Sequence, residues 1–266
     1  MQKRLMYFSW RIMLCALLLT GACREKTTRA LVWSDEFDTT GTPDTARWGY
    51  DLGNADGWGN NEKQYYTRDA RNARVENGKL IIEAHQDSVE GVPYSSARLI
   101  SKKKGDWTHG RIEVSARLPR GRGTWPAIWM LPTDWKYGGW PASGEIDIME
   151  HVGYDPAVIH GTIHCELYNH GKQTQKEGKI TIADAQDTFH RYAIDWAKDK
   201  IDFYVDDTLY HTVAREPKDD YKGWPFDERF HLLMNLAVGG NWGGKEGIDT
   251  TIWPQRMEVD YVRIYQ

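Results

Sequence analysis

The sequence has no surplus of basic residues. Thirty-four Lys and Arg stand against 38 Asp and Glu, for a net charge of −4. That balance argues against the basic face a nucleic-acid partner needs. No apolar run is long enough to cross a bilayer: Met6 to Thr20 is broken by Arg11, and a spanning helix takes about 20 consecutive apolar residues. Helical periodicity is nearly absent, with Ile182–Thr188 offering only a short turn. The glycine-rich stretches around Gly57 and Gly59, and around Gly239, Gly240, Gly243 and Gly244, are not phosphate loops. No Gly-Lys-Ser/Thr follows them. Phenylalanine is scarce, six residues beside thirteen Trp and fourteen Tyr. Trp and Tyr join a flat apolar face to a polar edge, which suits stacking on the C–H faces of sugar rings.

Cysteine is also scarce, three residues in 266. Two lie in an N-terminal segment that reads as a targeting signal. Met1-Gln2-Lys3-Arg4 is basic, an apolar stretch follows, and small residues precede Cys23. Leu19-Thr20-Gly21-Ala22-Cys23 resembles a bacterial lipoprotein signal. That resemblance implies removal of residues 1–22, a lipid on Cys23 and a tether over residues 23–30. It implies an exported protein, anchored at the outer membrane or cell surface, or otherwise periplasmic or secreted. Cys165 would then stand alone as a small packing residue, with no intramolecular disulfide.

Residues 31–266 read as one domain, with no linker, repeat or low-complexity stretch. Strand-like runs recur at Lys79–Gln86, Ser96–Lys102, Gly110–Leu118, Thr124–Leu131, Gly144–Glu150 and Ala157–His164. Others follow at His190–Trp196, Lys200–Val205, Phe230–Val238 and Met257–Tyr265. Glu76-Asn77-Gly78-Lys79 and Val205-Asp206-Asp207-Thr208 read as hairpin turns. So many strands in one domain predict an all-β fold, a β-sandwich or jelly roll of two antiparallel sheets with a concave face for a cleft.

Gly144-Glu145-Ile146-Asp147-Ile148-Met149-Glu150 carries the chemistry. Alternate residues of a strand share a face, so Glu145 and Asp147 point together. Glu150, three positions on, has the wrong parity. A β-bulge at Ile148-Met149 returns it to their face. Clustered like charges are costly and mark functional sites. Two carboxylates about 5–5.5 Å apart are what retaining glycoside hydrolysis requires, one as nucleophile and one as acid/base. The competing readings are an exposed acidic strand and a metal site. The first lacks interleaved Lys or Arg, and the second lacks a Gly or Asn turn to wrap calcium.

Trp140-Pro141-Ala142-Ser143 followed by this strand closely resembles the active-site signature of glycoside hydrolase family 16. Met149 matches the bulged, laminarinase-like branch. The resemblance extends through Trp33–Phe37, Gly59–Thr67, Ser96–Leu99, Gly110–Glu113, Trp125–Leu131, Gly161–His164 and Val259–Tyr265. It implies a jelly roll with Glu145 as nucleophile, Glu150 as acid/base and Asp147 as helper. It also implies an endo-β-glucanase acting on β-1,3-glucan or mixed-linkage β-1,3-1,4-glucan, as a monomer that needs no catalytic cofactor. The alternatives are a galactan hydrolase of the same family and a non-catalytic glucan-binding module. The segment Cys165–Lys179 departs from common laminarinase patterns and is expected to overhang the cleft.

The resemblance assigns sugar contacts to Asn60, Arg98, Trp125, Trp129 and His164, and Trp140 of the signature is taken as a further substrate-binding residue. Arg and Asn side chains suit vicinal hydroxyls. Trp58 and Trp242, beside their glycine clusters, read either as further cleft walls or as loop-anchoring aromatics, and His160 reads as a satisfied core histidine. Glu36 and Asp260, with a carbonyl near Gly78, match positions that hold a structural calcium in many members, and oxygen ligands suit that ion.

Overall fold

The computed structural model describes residues 29–266. Cys15, Cys23, the expected signal segment and most of the expected tether lie outside the described residues. Alternating apolar and polar residues form strands throughout. In chain order they begin with β1 (Leu31–Asp35), β2 (Gly49–Tyr50), β3 (Gln64–Tyr66), β4 (Ala73–Glu76), β5 (Lys79–Ala84) and β6 (Tyr94–Ser96). Next come β7 (Arg98–Ile100), β8 (Asp106–Trp107), β9 (Gly110–Arg117), β10 (Thr124–Pro132), β11 (Glu145–Glu150) and β12 (Val158–His164). The last are β13 (Lys176–Thr181), β14 (His190–Trp196), β15 (Lys200–Val205), β16 (Thr208–Ala214), β17 (Phe230–Val238) and β18 (Gln255–Tyr265).

Two eight-stranded antiparallel sheets form the expected sandwich. The front sheet runs β13-β12-β11-β10-β17-β7-β2, with β8 also beside β17. The back sheet runs β16-β15-β14-β9-β18-β5-β4, with β1 also beside β18. Between them lie Ile146, Ile148, Ile163 and Met234 from the front and Ile112, Val114, Ile194 and Phe203 from the back, all buried. Each such side chain contributes about 1.5–3 kcal/mol relative to exposure. Strand β17 is buried at every position because core and cleft floor cover its two faces.

Local chemistry sets the turns. Asn77 and Gly78 both have positive φ, 53° and 70°, as a two-residue hairpin requires. Asp184 carbonyl caps a turn through Asp187 and Thr188, where the short turn was expected. The expected run Ser96–Lys102 is instead divided. Ser96 ends β6, which pairs in parallel with β3, while Arg98 begins β7 in the front sheet. The Ser96 hydroxyl donates to the Leu236 carbonyl at 2.6 Å at this crossing. Edge strands β13 and β16 were not anticipated, because their exposed faces weaken the alternation. Cys165 is free and buried, and burial pushes its thiol up to about 11.

The proposed calcium residues sit around β18. Glu36 follows β1, Gly78 lies in the β4–β5 turn, and Asp260 occupies the register shift between Val259 and Tyr261. Both Glu36 carboxylate oxygens accept from the Arg263 guanidinium, at 3.0 and 2.8 Å. That fork already neutralises Glu36, so its carboxylate does not fit as a calcium ligand in this arrangement. An ion there would need Arg263 displaced, or other oxygens in place of Glu36.

Strand β13 reaches the back sheet closely. A Cβ on Gly178 would lie 2.3 Å from the His211 ring. Gly178→Ala is expected to cost about 1–3 kcal/mol through overpacking. A melting temperature equal to the parent's in calorimetry would contradict this close approach.

Candidate active site

The β11 bulge is present where parity demanded it. On one side Trp129 pairs with Asp147 and Ile128 with Met149, leaving Ile148 as the extra residue. On the other side Asp147 pairs with Thr162 and Glu150 with His160, three steps against two. Ile148 and Met149 both enter the core, 1% and 0% exposed. Glu150 is thereby returned to the face of Glu145 and Asp147. All three acids line one cleft of about 710 Å³.

Each acid has a positioned neighbour. Trp140 Nε1 donates to Glu145 Oε2 at 3.0 Å, and Trp125 Nε1 donates to Glu150 Oε1 at 3.0 Å. His164 Nε2 lies 3.4 Å from Asp147 Oδ2 and 3.8 Å from Glu145 Oε1. Glu145, Asp147 and His164 each place one potential ligand atom within 4.8 Å of the others. That spacing gathers two carboxylates and an imidazole into one cluster.

The remaining expected residues line the same cleft. The Arg98 guanidinium is held between the Trp58 and Trp129 rings, 4.8 and 4.6 Å from their centroids. Trp129 Nε1 donates to Asn235 Oδ1 at 2.7 Å, which fixes the indole plane. Trp125 meets Trp242 edge-on at 5.5 Å. Asn60 donates to Glu62 Oε1 at 3.2 Å. The segment after Cys165 does overhang the cleft. His170 packs 4.9 Å from Trp140, and the Asn169 amide donates to the Cys165 and Glu166 carbonyls.

His160 corrects the expectation of a core histidine. It shares the cleft face of β12 with Thr162 and His164 because all three have one parity. It is satisfied there by Glu177, with Nδ1 2.5 Å from Oε1.

A family model for glycosyl hydrolases family 16 matches residues 60–263. A β-glucanase of Rhodothermus marinus is 55% identical over 244 residues, covering 89% of this chain and 85% of that protein. The solved laminarinase of Rhodothermus marinus superposes with a TM-score of 0.88 at 53% identity, covering 90% and 97% of the two chains. SCLam, a non-specific endo-β-1,3(4)-glucanase, gives 0.86 at 47%, covering 90% and 92%. The chain belongs to glycosyl hydrolase family 16. It is a glycoside hydrolase.

Three residues of this hydrolase's cleft escaped sequence reasoning. Glu62 accepts from Gln64 Nε2 at 2.6 Å, and burial raises its carboxyl above the usual range. Asn235 donates to the Tyr66 hydroxyl at 3.0 Å. Glu62 and Tyr66 lay inside the recognised Gly59–Thr67 string. Asn235 was legible as the lone amide in an otherwise apolar buried strand.

Burial is the first cause of the site's unusual acidity. It pushes Glu145 and Glu150 each up to about 8, and the Asp147 charge adds to both while His164 opposes it. Burial also holds Asp147 well above the ordinary carboxylate range. Groups this close share protons and titrate as a set.

Between the ordinary carboxylate value near 4.5 and about 8, the folded hydrolase binds more protons than the unfolded chain. Stability from these acids therefore falls as pH rises through that window. Glu145→Gln should melt about 2–4 °C above the parent at pH 8, the shift expected from ~1 kcal/mol in a domain this size. The difference should shrink towards pH 5. Scanning calorimetry at both pH values checks it, and a variant no more stable than the parent at pH 8 would contradict the burial cost.

Proposed function

We propose that this hydrolase is a retaining endo-β-glucanase that cuts internal bonds of β-1,3-glucan or mixed-linkage β-1,3-1,4-glucan. The observation that carries the reading is the bulged strand, which places Glu145 and Glu150 on one cleft face with Asp147 between them. The relatives named above are a β-glucanase, a laminarinase and a non-specific endo-β-1,3(4)-glucanase. The tryptophan-lined cleft offers stacking surfaces for pyranose rings, and Arg98 and Asn60 offer donors to hydroxyls.

In the first step ionised Glu145 bonds to the anomeric carbon. The glycosidic oxygen leaves with the proton of Glu150. The product is a glycosyl ester on Glu145 and a shortened chain with a new hydroxyl. In the second step ionised Glu150 takes a proton from water, the water oxygen bonds to the anomeric carbon, and Glu145 departs as carboxylate. Two inversions leave the β configuration. Trp140 and Trp125 hold the two carboxylates by one N–H each. Asp147 lies between the pair, where its protonation tunes both.

The galactan alternative ranks second: a keratan-sulfate endo-1,4-β-galactosidase of Sphingobacterium multivorum is 35% identical, against 55% for the β-glucanase. A binding module has no need of two buried, paired glutamates whose burial lowers stability. Side-by-side product analysis on laminarin, lichenan, agarose and carrageenan tests the substrate, with early products followed by NMR. The expected outcome is oligosaccharides from laminarin or lichenan with the β-anomer first. Cleavage confined to the galactans, or an early α-anomer, would overturn the reading.

A further inference from the structure

Trp125 gives its indole N–H to Glu150, so whatever holds that indole also places the carboxyl. Strand parity puts Trp125 on the cleft face of β10, outside the apolar core, and it is only half-buried. Its support therefore comes from the cleft. The loop after β17 closes on it: a Cβ at Gly243 would lie 2.7 Å from the Trp125 Cβ, and one at Gly240 would lie 3.2 Å from its ring. From the same loop Trp242 stands across the Trp125 ring at 78°, with centroids 5.5 Å apart.

Trp242 needs a support of its own. It rises among Gly239, Gly240, Gly243 and Gly244, and glycine leaves a backbone free to move. The ring it meets is His160, at 88° and 4.8 Å. His160 is 4% exposed although it lines the cleft, and it stands opposite Glu150 in the β11–β12 register. Its Nδ1 lies 2.5 Å from Glu177 Oε1, on the neighbouring strand β13. That bond fixes the plane of the imidazole and hence the surface it offers to Trp242.

A continuous chain results, from Glu177 through His160, Trp242 and Trp125 to Glu150. The hydrolytic steps derived above use only its last two members. A buried ionic or hydrogen-bonded pair adds little net stability, because burial costs about what the pairing returns. What the His160–Glu177 pair does supply is a fixed ring under a loop that lacks rigidity.

We propose that His160, oriented by Glu177, is a positioning residue for the acid/base. It sets the Trp242 and Trp125 indoles so that the Trp125 N–H holds Glu150 where the departing glycosidic oxygen is protonated. This rests on the reading of Glu150 as the acid/base.

The test compares kcat/KM on two aryl β-glycosides of laminaribiose. The phenyl glycoside needs a proton from Glu150 to leave, whereas the 2,4-dinitrophenyl glycoside departs without one. Both carry the same sugar and one aryl ring, so a loss of binding lowers both alike. In Glu177→Ala, and in His160→Ala, the ratio of the phenyl to the dinitrophenyl value should fall about tenfold, part of the roughly 100- to 10,000-fold that a placed general acid contributes. Glu177→Gln should restore most of the ratio, because its amide oxygen still accepts from the His160 Nδ1–H. Glu177 lies partly exposed at an edge strand, so its variants carry the test even where His160→Ala does not fold. Equal losses on the two glycosides, an unchanged ratio, or a Gln variant as poor as the Ala variant would overturn the positioning role. A parent protein that cleaves neither laminarin nor lichenan would overturn the glucanase reading beneath it.

Discussion

Three carboxylates within six residues cannot share a face on a regular strand, because the side-chain period is two. The extra residue at Ile148 resolves that conflict. It lets Ile148 and Met149 enter the core in succession and turns Glu150 back to the cleft. The neighbours of β11 are built to suit. Strand β10 supplies Trp125 to Glu150, and β12 supplies His164 to Asp147 and Glu145. A regular strand of the same composition would bury Glu150 between the sheets, against apolar side chains and at heavy desolvation cost.

Burial gives the cluster its chemistry at a cost in stability. A carboxyl that stays protonated near neutrality can act as a general acid. The same burial opposes the ionised nucleophile, and the site answers with few, directed donors. Trp140 and Trp125 each give one N–H to a different glutamate. Neither brings a full charge, so each carboxylate is oriented without being held permanently ionised. The sandwich behind the site, with its continuous apolar core, offsets the cost.

Much of this was legible in the sequence for physical reasons. Alternation revealed the half-buried strands, the Asn77-Gly78 pair revealed a hairpin, and the parity of Glu145, Asp147 and Glu150 required the bulge. Family resemblance supplied Asn60, Arg98, Trp125 and Trp129 as cleft residues, and the structure brings them together. Other features depend on contacts distant in sequence. His160 looked like a core residue because nothing local reveals that Glu177, seventeen positions later, meets it from the adjacent strand β13. Glu36 looked free for calcium because its partner Arg263 is 227 residues away. Strand β13 itself was missed, since an edge strand with one polar face and a glycine carries little alternation. Cleft walls are assembled from several loops, so their composition is readable one residue at a time but their convergence is not.

In the proposed mechanism Glu145 becomes covalently joined to the sugar. A 2-deoxy-2-fluoro aryl glycoside of laminaribiose slows the second step and lets that ester accumulate. Peptide mass spectrometry of the inactivated protein should place one fluorinated disaccharide on Glu145. A label on Glu150 or Asp147, or no label while the parent glycoside is still hydrolysed, would contradict the account.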